Sequence, residues 1–343
     1  MESQFLKWLT EETEACWWHD SADPDQLAES IAEGAVGATT NPMLIKLSLF
    51  SRPEVWRPLL EDVPKNLKGA EKAEAIIQRI TCSLAKMLLP AFEATGHRQG
   101  YVCAQVNPGL PGDAGAMFEM AKRMSRWAPN ITIKLPATAA GLEALEECAA
   151  IGIPVTVTAS FTVPQALAIG EGYERGSARA KQAGITPARC FAVLMTGRLD
   201  DYLRDVAQDN RADIREEDIR RAGLAVAKRS YAIFRERGYQ AVIMPAGMRG
   251  AYHLTELAGA EMVFSTAPKI KQLTAGLTGG FTERINEPVD AASLERLERL
   301  PEFRRAYQPD GMRKEEFITF GTTQKTLSQF VEAGWLPLEN YQL

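Results

Sequence analysis

Short apolar runs recur along the chain, each followed by a longer stretch in which apolar positions return every three or four residues. The runs are 14–19 (EACWWH), 35–39 (AVGAT), 101–106 (YVCAQV), 131–135 (ITIKL), 153–158 (IPVTVT), 190–195 (CFAVLM), 240–245 (QAVIMP) and 261–265 (EMVFS). Their length and β-branched content predict strands, and the helical period predicts helices over 113–127, 138–151, 162–180, 211–238 and 249–259. Several of these helices open on Ser, Thr, Asp or Pro at cap-like positions. Eight such alternations in 343 residues predict a (β/α)8 TIM barrel with additional helices. An open doubly wound sheet would present a Gly-rich first turn, and the chain has neither GxGxxG nor a P-loop. Two segments exceed what a barrel needs: a long, partly helical connection at 50–94, and an insertion at 276–316 ahead of a final helix near 317–334. Neither reads as a separate domain, so 1–343 is expected to be one barrel domain.

Composition narrows the function classes. The chain is 45% hydrophobic and 24% charged with a net charge of -5, and no Lys/Arg run is long enough for a nucleic-acid groove or an anionic membrane surface. The acidic N-terminus lacks an apolar leader, and no stretch approaches about 18 uninterrupted apolar residues, so a cytoplasmic protein is expected. Five scattered cysteines without a CxxC and three distant histidines suggest neither a disulfide framework nor a metal site. No metal and no cofactor are expected.

A barrel of this kind draws its chemistry from the C-terminal ends of its strands. Those positions are polar here: Asp20, Thr40 and Asn41, Gln105 and Asn107, Lys134, Thr156 and Thr158, Arg198, and Arg249, which is expected to open the helix after the seventh strand. Lys134 stands out, since it sits between Ile133 and Leu135 in a run that Pro136 closes. A lysine in water is protonated and cannot attack a carbonyl, whereas a desolvated site favours the neutral amine and makes it a Schiff-base nucleophile. An iminium on Lys134 would draw electrons from the adjacent C–C bond, and Asp20 is the carboxylate placed to take the hydroxyl proton in a retro-aldol cleavage. The alternative is that Lys134 snorkels to solvent or pairs structurally.

The segments GATTNPML (37–44) and ITIKLPATAAGLEAL (131–145) resemble the two signatures of the transaldolase family, Schiff-base (β/α)8 enzymes that move a dihydroxyacetone unit between sugar phosphates. The likeness continues through 152–168, GRLDD at 197–201 and 257–273. It implies that Lys134 forms the imine, that Asp20 is the general acid/base, and that Gln105 and Thr158 position the water of imine formation and hydrolysis. Asn41, with the neighbouring Thr40, would bind the three-carbon unit, and Arg198 and Arg249 would bind phosphate. Three positions depart from the family pattern. Gln105 replaces the transaldolase glutamate and matches the fructose 6-phosphate aldolase branch, Gly247 replaces a serine, and Met195 replaces an aromatic residue. Overall length resembles the transaldolases instead.

The resemblance thus implies transfer of dihydroxyacetone from a ketose phosphate to an aldose phosphate, as in the pentose phosphate pathway. Alternatives are an aldolase releasing free dihydroxyacetone, a sulfonated or unphosphorylated donor, and a catalytically silent sugar-phosphate binding protein. Strand alternation sends one of Trp17 and Trp18 away from the barrel interior and turns His19 away from Asp20. His253, one turn after Arg249, is read as a surface or interhelical histidine, with a part in anion binding as the alternative. The mixed-charge stretch 295–305 reads as a solvated helix face or a subunit contact, which leaves a homo-oligomer open.

Overall fold

The computed structural model describes residues 3–343. Eight strands form one parallel sheet: β1 (Cys16–Asp20), β2 (Gly37–Thr39), β3 (Tyr101–Gln105), β4 (Ile131–Pro136), β5 (Val155–Thr158), β6 (Cys190–Leu194), β7 (Val242–Pro245) and β8 (Val263–Thr266). Each strand pairs with its sequence neighbour up to β7, and β1 also pairs with β8. Since β7 lies against β8, the ring is nearly closed, and helices alternate with the strands around it as a (β/α)8 barrel requires. β3, β4, β5 and β6 are buried along their whole lengths, which is why they read as near-continuous apolar and β-branched runs.

Alternation along β1 sets the layering. Trp18 enters the barrel and forms its floor, with its ring 4.6 Å edge-on from Phe191 and 6.3 Å from Tyr101. Gly37 makes room for it, because a Cβ there would lie 2.4 Å from the indole. Two residues on, Asp20 faces the same interior at the opposite end. Trp17 and His19 face the helices: His19 Nδ1 lies 2.9 Å from the Ser30 hydroxyl on helix Pro24–Ala32. Burial, reinforced by the Lys271 charge and opposed by Asp23, pulls the imidazole down to about 4, so His19 is neutral at physiological pH.

Several boundaries differ from expectation. β4 runs through Pro136, whose missing N–H is tolerated at the last pair of the strand, opposite Thr158. The stretch 211–238 is helical only from Glu216, behind a separate helix Thr196–Asp209; Arg211, at φ +50°, sits in the break. After β7 a single turn, Tyr252–Thr255, replaces the expected longer helix, so Arg249 lies in the preceding turn, where Gly247 has φ +59°. Pro301 divides 295–305 between helices Ala291–Leu297 and Pro301–Tyr307. The connection at 50–94 contains helix Pro53–Leu60 and the 26-residue helix Gly69–Ala94. By length and a mean hydropathy of 1.2 the latter resembles a membrane span, but its Ile76, Ile80, Leu84 and Leu88 are buried in the core it shares with β3.

The C-terminal stretch crosses to the mouth of the barrel as helix Gly321–Phe330, a π turn Val331–Trp335 and a last turn Leu336–Glu339. Gly334 lets it approach the start of helix Pro42–Ser51, since a Cβ at that position would lie 2.6 Å from the Met43 backbone nitrogen.

Candidate active site

A cavity of about 160 Å³ opens at the C-terminal ends of the strands. Asp20 from β1, Thr39 and Asn41 at β2, Lys134 from β4, Thr158 from β5, Met195 and Arg198 after β6, Gly247 and Arg249 after β7, and Ser265 from β8 all line it. Phe330 covers it from the C-terminal helix. Larger grooves of about 430 and 640 Å³ run between outer helices and contain no strand-end residue.

Lys134 reaches the cavity because β4 places Thr132 and Lys134 on its inner face; Thr132 lies one layer below, 3.0 Å from Thr156 on β5. The lysine is 6% exposed. Its one side-chain hydrogen bond among the described residues runs from Nζ to the Thr40 carbonyl, at 3.2 Å. No described carboxylate oxygen lies within 4.0 Å of that nitrogen, so Lys134 is a buried amine with no ion-pair partner in contact.

Asp20 stands on the same rim, where register places it beside Thr39. The Thr39 hydroxyl donates to Oδ1 at 2.7 Å and lies 2.6 Å from Ser265, giving the carboxylate a hydroxyl shelf. Burial raises the Asp20 pKa above the ordinary carboxylate range; the charges of Lys134 and Arg198 and the Thr39 and Ser265 hydroxyls oppose that rise. A carboxyl shifted upward in this way is better matched to proton exchange near neutral pH than an ordinary aspartate.

Asn41 caps helix Pro42–Ser51, its Oδ1 accepting the Leu44 N–H at 3.0 Å, which leaves the amide nitrogen to donate elsewhere. Thr158 ends β5, and Ala159 immediately after it is held at φ +52°, a conformation that costs a non-glycine residue about 1–2 kcal/mol. Gln165 secures that turn: its oxygen accepts from the Phe161 N–H at 2.9 Å, and its nitrogen donates to the Ala137 and Ala159 carbonyls at 3.2 and 3.1 Å. One buried amide therefore ties the ends of β4 and β5 together.

Other expected site residues sit back from the cavity. Gln105 is beside Lys134 in the sheet register and 4% exposed, and its Oε1 is buried without a protein partner. The Thr40 hydroxyl turns away to the Cys103 carbonyl at 2.7 Å, and only its own carbonyl meets Lys134. Thr156 belongs to the layer below, and Asn107 spends its Oδ1 on the Gly109 N–H.

The two arginines differ. Arg198 is mostly buried; Nη1 donates to Gln329 Oε1 at 2.6 Å, and the guanidinium lies 5.8 Å from the Phe330 ring centre. Burial and the Arg249 charge pull its pKa down, against Asp20 and Asp201. Arg249 is half-exposed and occupied: Nε and Nη2 both lie 2.8 Å from Asp201 Oδ2, and Nη1 donates to the Gly247 carbonyl at 2.7 Å. Thr39, Ser265, Gln165, Gln329 and Phe330 were not among the sequence candidates. Alternation on β8 was a signal that could have found Ser265, but nothing local links Gln329 or Phe330 to a strand end more than 130 residues earlier.

Comparison with known proteins bears on the family. "Transaldolase 1" of Streptomyces avermitilis is 31% identical over 248 residues, 67% of this chain and 64% of that protein. "Transaldolase" of Thiobacillus denitrificans is 28% identical over 250 residues, 68% of each chain. "Transaldolase" of Neisseria gonorrhoeae is 30% identical over 183 residues, 52% of each. The matched stretch thus spans about two thirds or less of these relatives. The profile described as transaldolase/fructose-6-phosphate aldolase matches residues 17–309, most of the barrel, and the chain belongs to that family.

Proposed function

We propose that the protein transfers a dihydroxyacetone unit from a ketose phosphate to an aldose phosphate through an imine on Lys134. The observation that carries this reading is the buried, ion-pair-free Lys134 sharing one cavity with Asp20. The Lys134 amine adds to the donor ketone and water departs, leaving an iminium. Asp20 takes the proton from the hydroxyl beyond the scissile C–C bond, that bond breaks to release an aldehyde, and its electrons settle in an enamine on Lys134. Addition of the enamine to a second aldehyde, with the proton returned by Asp20, reverses these steps. Asn41 donates to the hydroxyls of the three-carbon unit, Thr158 orients the water lost and regained at the imine carbon, and Arg198 with Arg249 faces the anionic tail. Such substrates belong to cytoplasmic carbohydrate metabolism of the pentose phosphate type.

Gln105 supports a second outcome. Its unpartnered Oε1 beside Lys134 suits holding the water that hydrolyses the imine, which would release free dihydroxyacetone. The test is borohydride reduction in the presence of fructose 6-phosphate, followed by peptide mass spectrometry and a product assay with and without erythrose 4-phosphate. A three-carbon adduct on Lys134 and a new ketose phosphate formed only with the acceptor are expected. Dihydroxyacetone accumulating at full rate without an acceptor would replace the transferase assignment with the aldolase, and folded protein without an adduct would refute both.

A further inference from the structure

We propose that His253, Asp200 and Asp201 are positioning residues that fix Arg249 relative to Arg198, and so set the preference for a donor with an anionic tail. The inference rests on the reading of the two arginines as the tail-binding pair. Helix Thr196–Asp209 carries Arg198, Asp200 and Asp201; Asp201 reaches Arg249 itself, and Asp200 reaches His253, four residues further on. Asp201 Oδ2 holds the guanidinium, while its Oδ1 accepts from Arg204 at 2.9 Å. A half-exposed pair of this sort is only weakly ordering by itself.

The firmer hold is on the backbone. Asp200 and His253 are both fully buried, with Asp200 Oδ2 3.0 Å from His253 Nε2. Asp200 Oδ1 accepts the Gly223 N–H at 2.8 Å, which pins the carboxylate to helix Glu216–Arg237. Nδ1 of the same ring accepts the backbone N–H of Arg249 itself at 3.3 Å, which leaves the proton of the neutral ring on Nε2, close to the Asp200 carboxylate but not aligned for a hydrogen bond to it. A histidine that only filled the core would have no reason to end on that atom. Gly197, one residue before Arg198, completes the junction: a Cβ there would lie 2.5 Å from the Gly247 carbonyl and 2.6 Å from Arg249 Cγ. The start of the helix and the arginine turn therefore approach as closely as backbone allows, and the guanidinium spacing is set by groups that never touch substrate.

The experiment compares wild type, His253→Phe and Asp201→Ala with fructose 6-phosphate and with unphosphorylated fructose as donors, and measures inhibition by inorganic phosphate. Asp201 is half-exposed, so its variant folds even if a buried substitution at His253 does not. Displacing a binding group by a fraction of an ångström to an ångström changes its contribution steeply. The expected result is a fall in the preference for fructose 6-phosphate over fructose, carried by KM, of at least about tenfold in His253→Phe and about two- to fivefold in Asp201→Ala, with a matching rise in the phosphate inhibition constant. An unchanged preference in the folded variants, or a loss of kcat that is equal for both donors, overturns the proposal. A wild-type enzyme that traps both donors on Lys134 but does not distinguish them overturns the tail-binding role of the arginines, and this inference with it, while leaving the imine chemistry standing.

Discussion

Replacing Lys134 by methionine separates chemistry from stability. The side chain is 6% exposed and receives one hydrogen bond's worth of compensation, from Nζ to the Thr40 carbonyl at 3.2 Å. Removing an ammonium group from water costs several kcal/mol. One hydrogen bond to a charged group returns about 1.5–3 kcal/mol, so the lysine is a net burden on the fold. Methionine keeps the unbranched shape and removes that burden, but it also withdraws the positive charge that opposes the rise of the Asp20 pKa. Losing one partner of two buried charges costs about 3–5 kcal/mol where the other stays ionised, and less where it takes up a proton, as a carboxyl already pushed upward does. The gain and the loss oppose each other and leave Tm within roughly 4 °C of wild type. Lys134→Met should therefore melt within that range by scanning calorimetry at pH 7.5, fail to form a borohydride adduct, and lose about 10⁴-fold or more in activity. A variant that melts about 10 °C or more below wild type would show that Lys134 is part of the scaffold, and activity within about a hundredfold of wild type would eliminate it as the nucleophile.

Asp20→Asn tests the partner with an explicit sign. Burial raises the folded-state pKa of Asp20, so a penalty on folding is fully present above that pKa, shrinks as pH falls below it, and is gone below the unfolded carboxyl pKa of about 3.9. The asparagine variant should be inactive and more stable than wild type at pH 7.5, with the gap closing toward acid pH; a lower Tm at pH 7.5 would contradict the assignment. Phe330→Ala should cost about 3 kcal/mol in denaturant unfolding, because a fully buried phenylalanine is lost, and should raise KM by opening the cavity. Gln329→Ala, on the exposed side of the same helix, should leave Tm unchanged while altering KM for anionic donors only. Trp18→Ala removes the barrel floor and should cost about 3–5 kcal/mol; a loss below about 1 kcal/mol would mean the ring is not packed against Phe191 and Tyr101.

The barrel was legible because each strand is covered on both faces and must be apolar on both, which leaves eight unmistakable runs. Lys134 was legible for the same reason, as a charge in a place that tolerates none. Register then placed Asp20 beside Thr39 and Gln105 beside Lys134, arrangements that period-two counting approximates. Side-chain direction was less accessible. Thr40 and Asn41 are adjacent, yet the threonine hydroxyl turns to Cys103 and the asparagine caps a helix, because β2 ends at Thr39 and alternation no longer applies beyond it. The helix expected at 249–259 survives only as the turn Tyr252–Thr255, and Gly259 inside the expected span has φ +89°, a backbone conformation that apolar periodicity does not register. Phe330 and Gln329 arrive by tertiary packing alone.

The placement of the lining residues then bears on how the parts divide the substrate. Asp20, Asn41, Lys134 and Thr158 surround the inner volume of the cavity, whereas Arg249 lies half-exposed at its rim with Phe330 alongside. On the proposed mechanism, the fragment held on Lys134 would occupy the inner part of the site and the departing aldehyde the open part, so that one aldehyde could be exchanged for another past the arginines. Of the departures from the family pattern, Gly247 lies on the turn that bears Arg249, whereas Met195 places its Sδ 4.0 Å from the Thr158 hydroxyl. One therefore bears on the rim and the other on the inner volume, while Lys134 Nζ and the Asp20 carboxylate keep their own partners at Thr40 and Thr39.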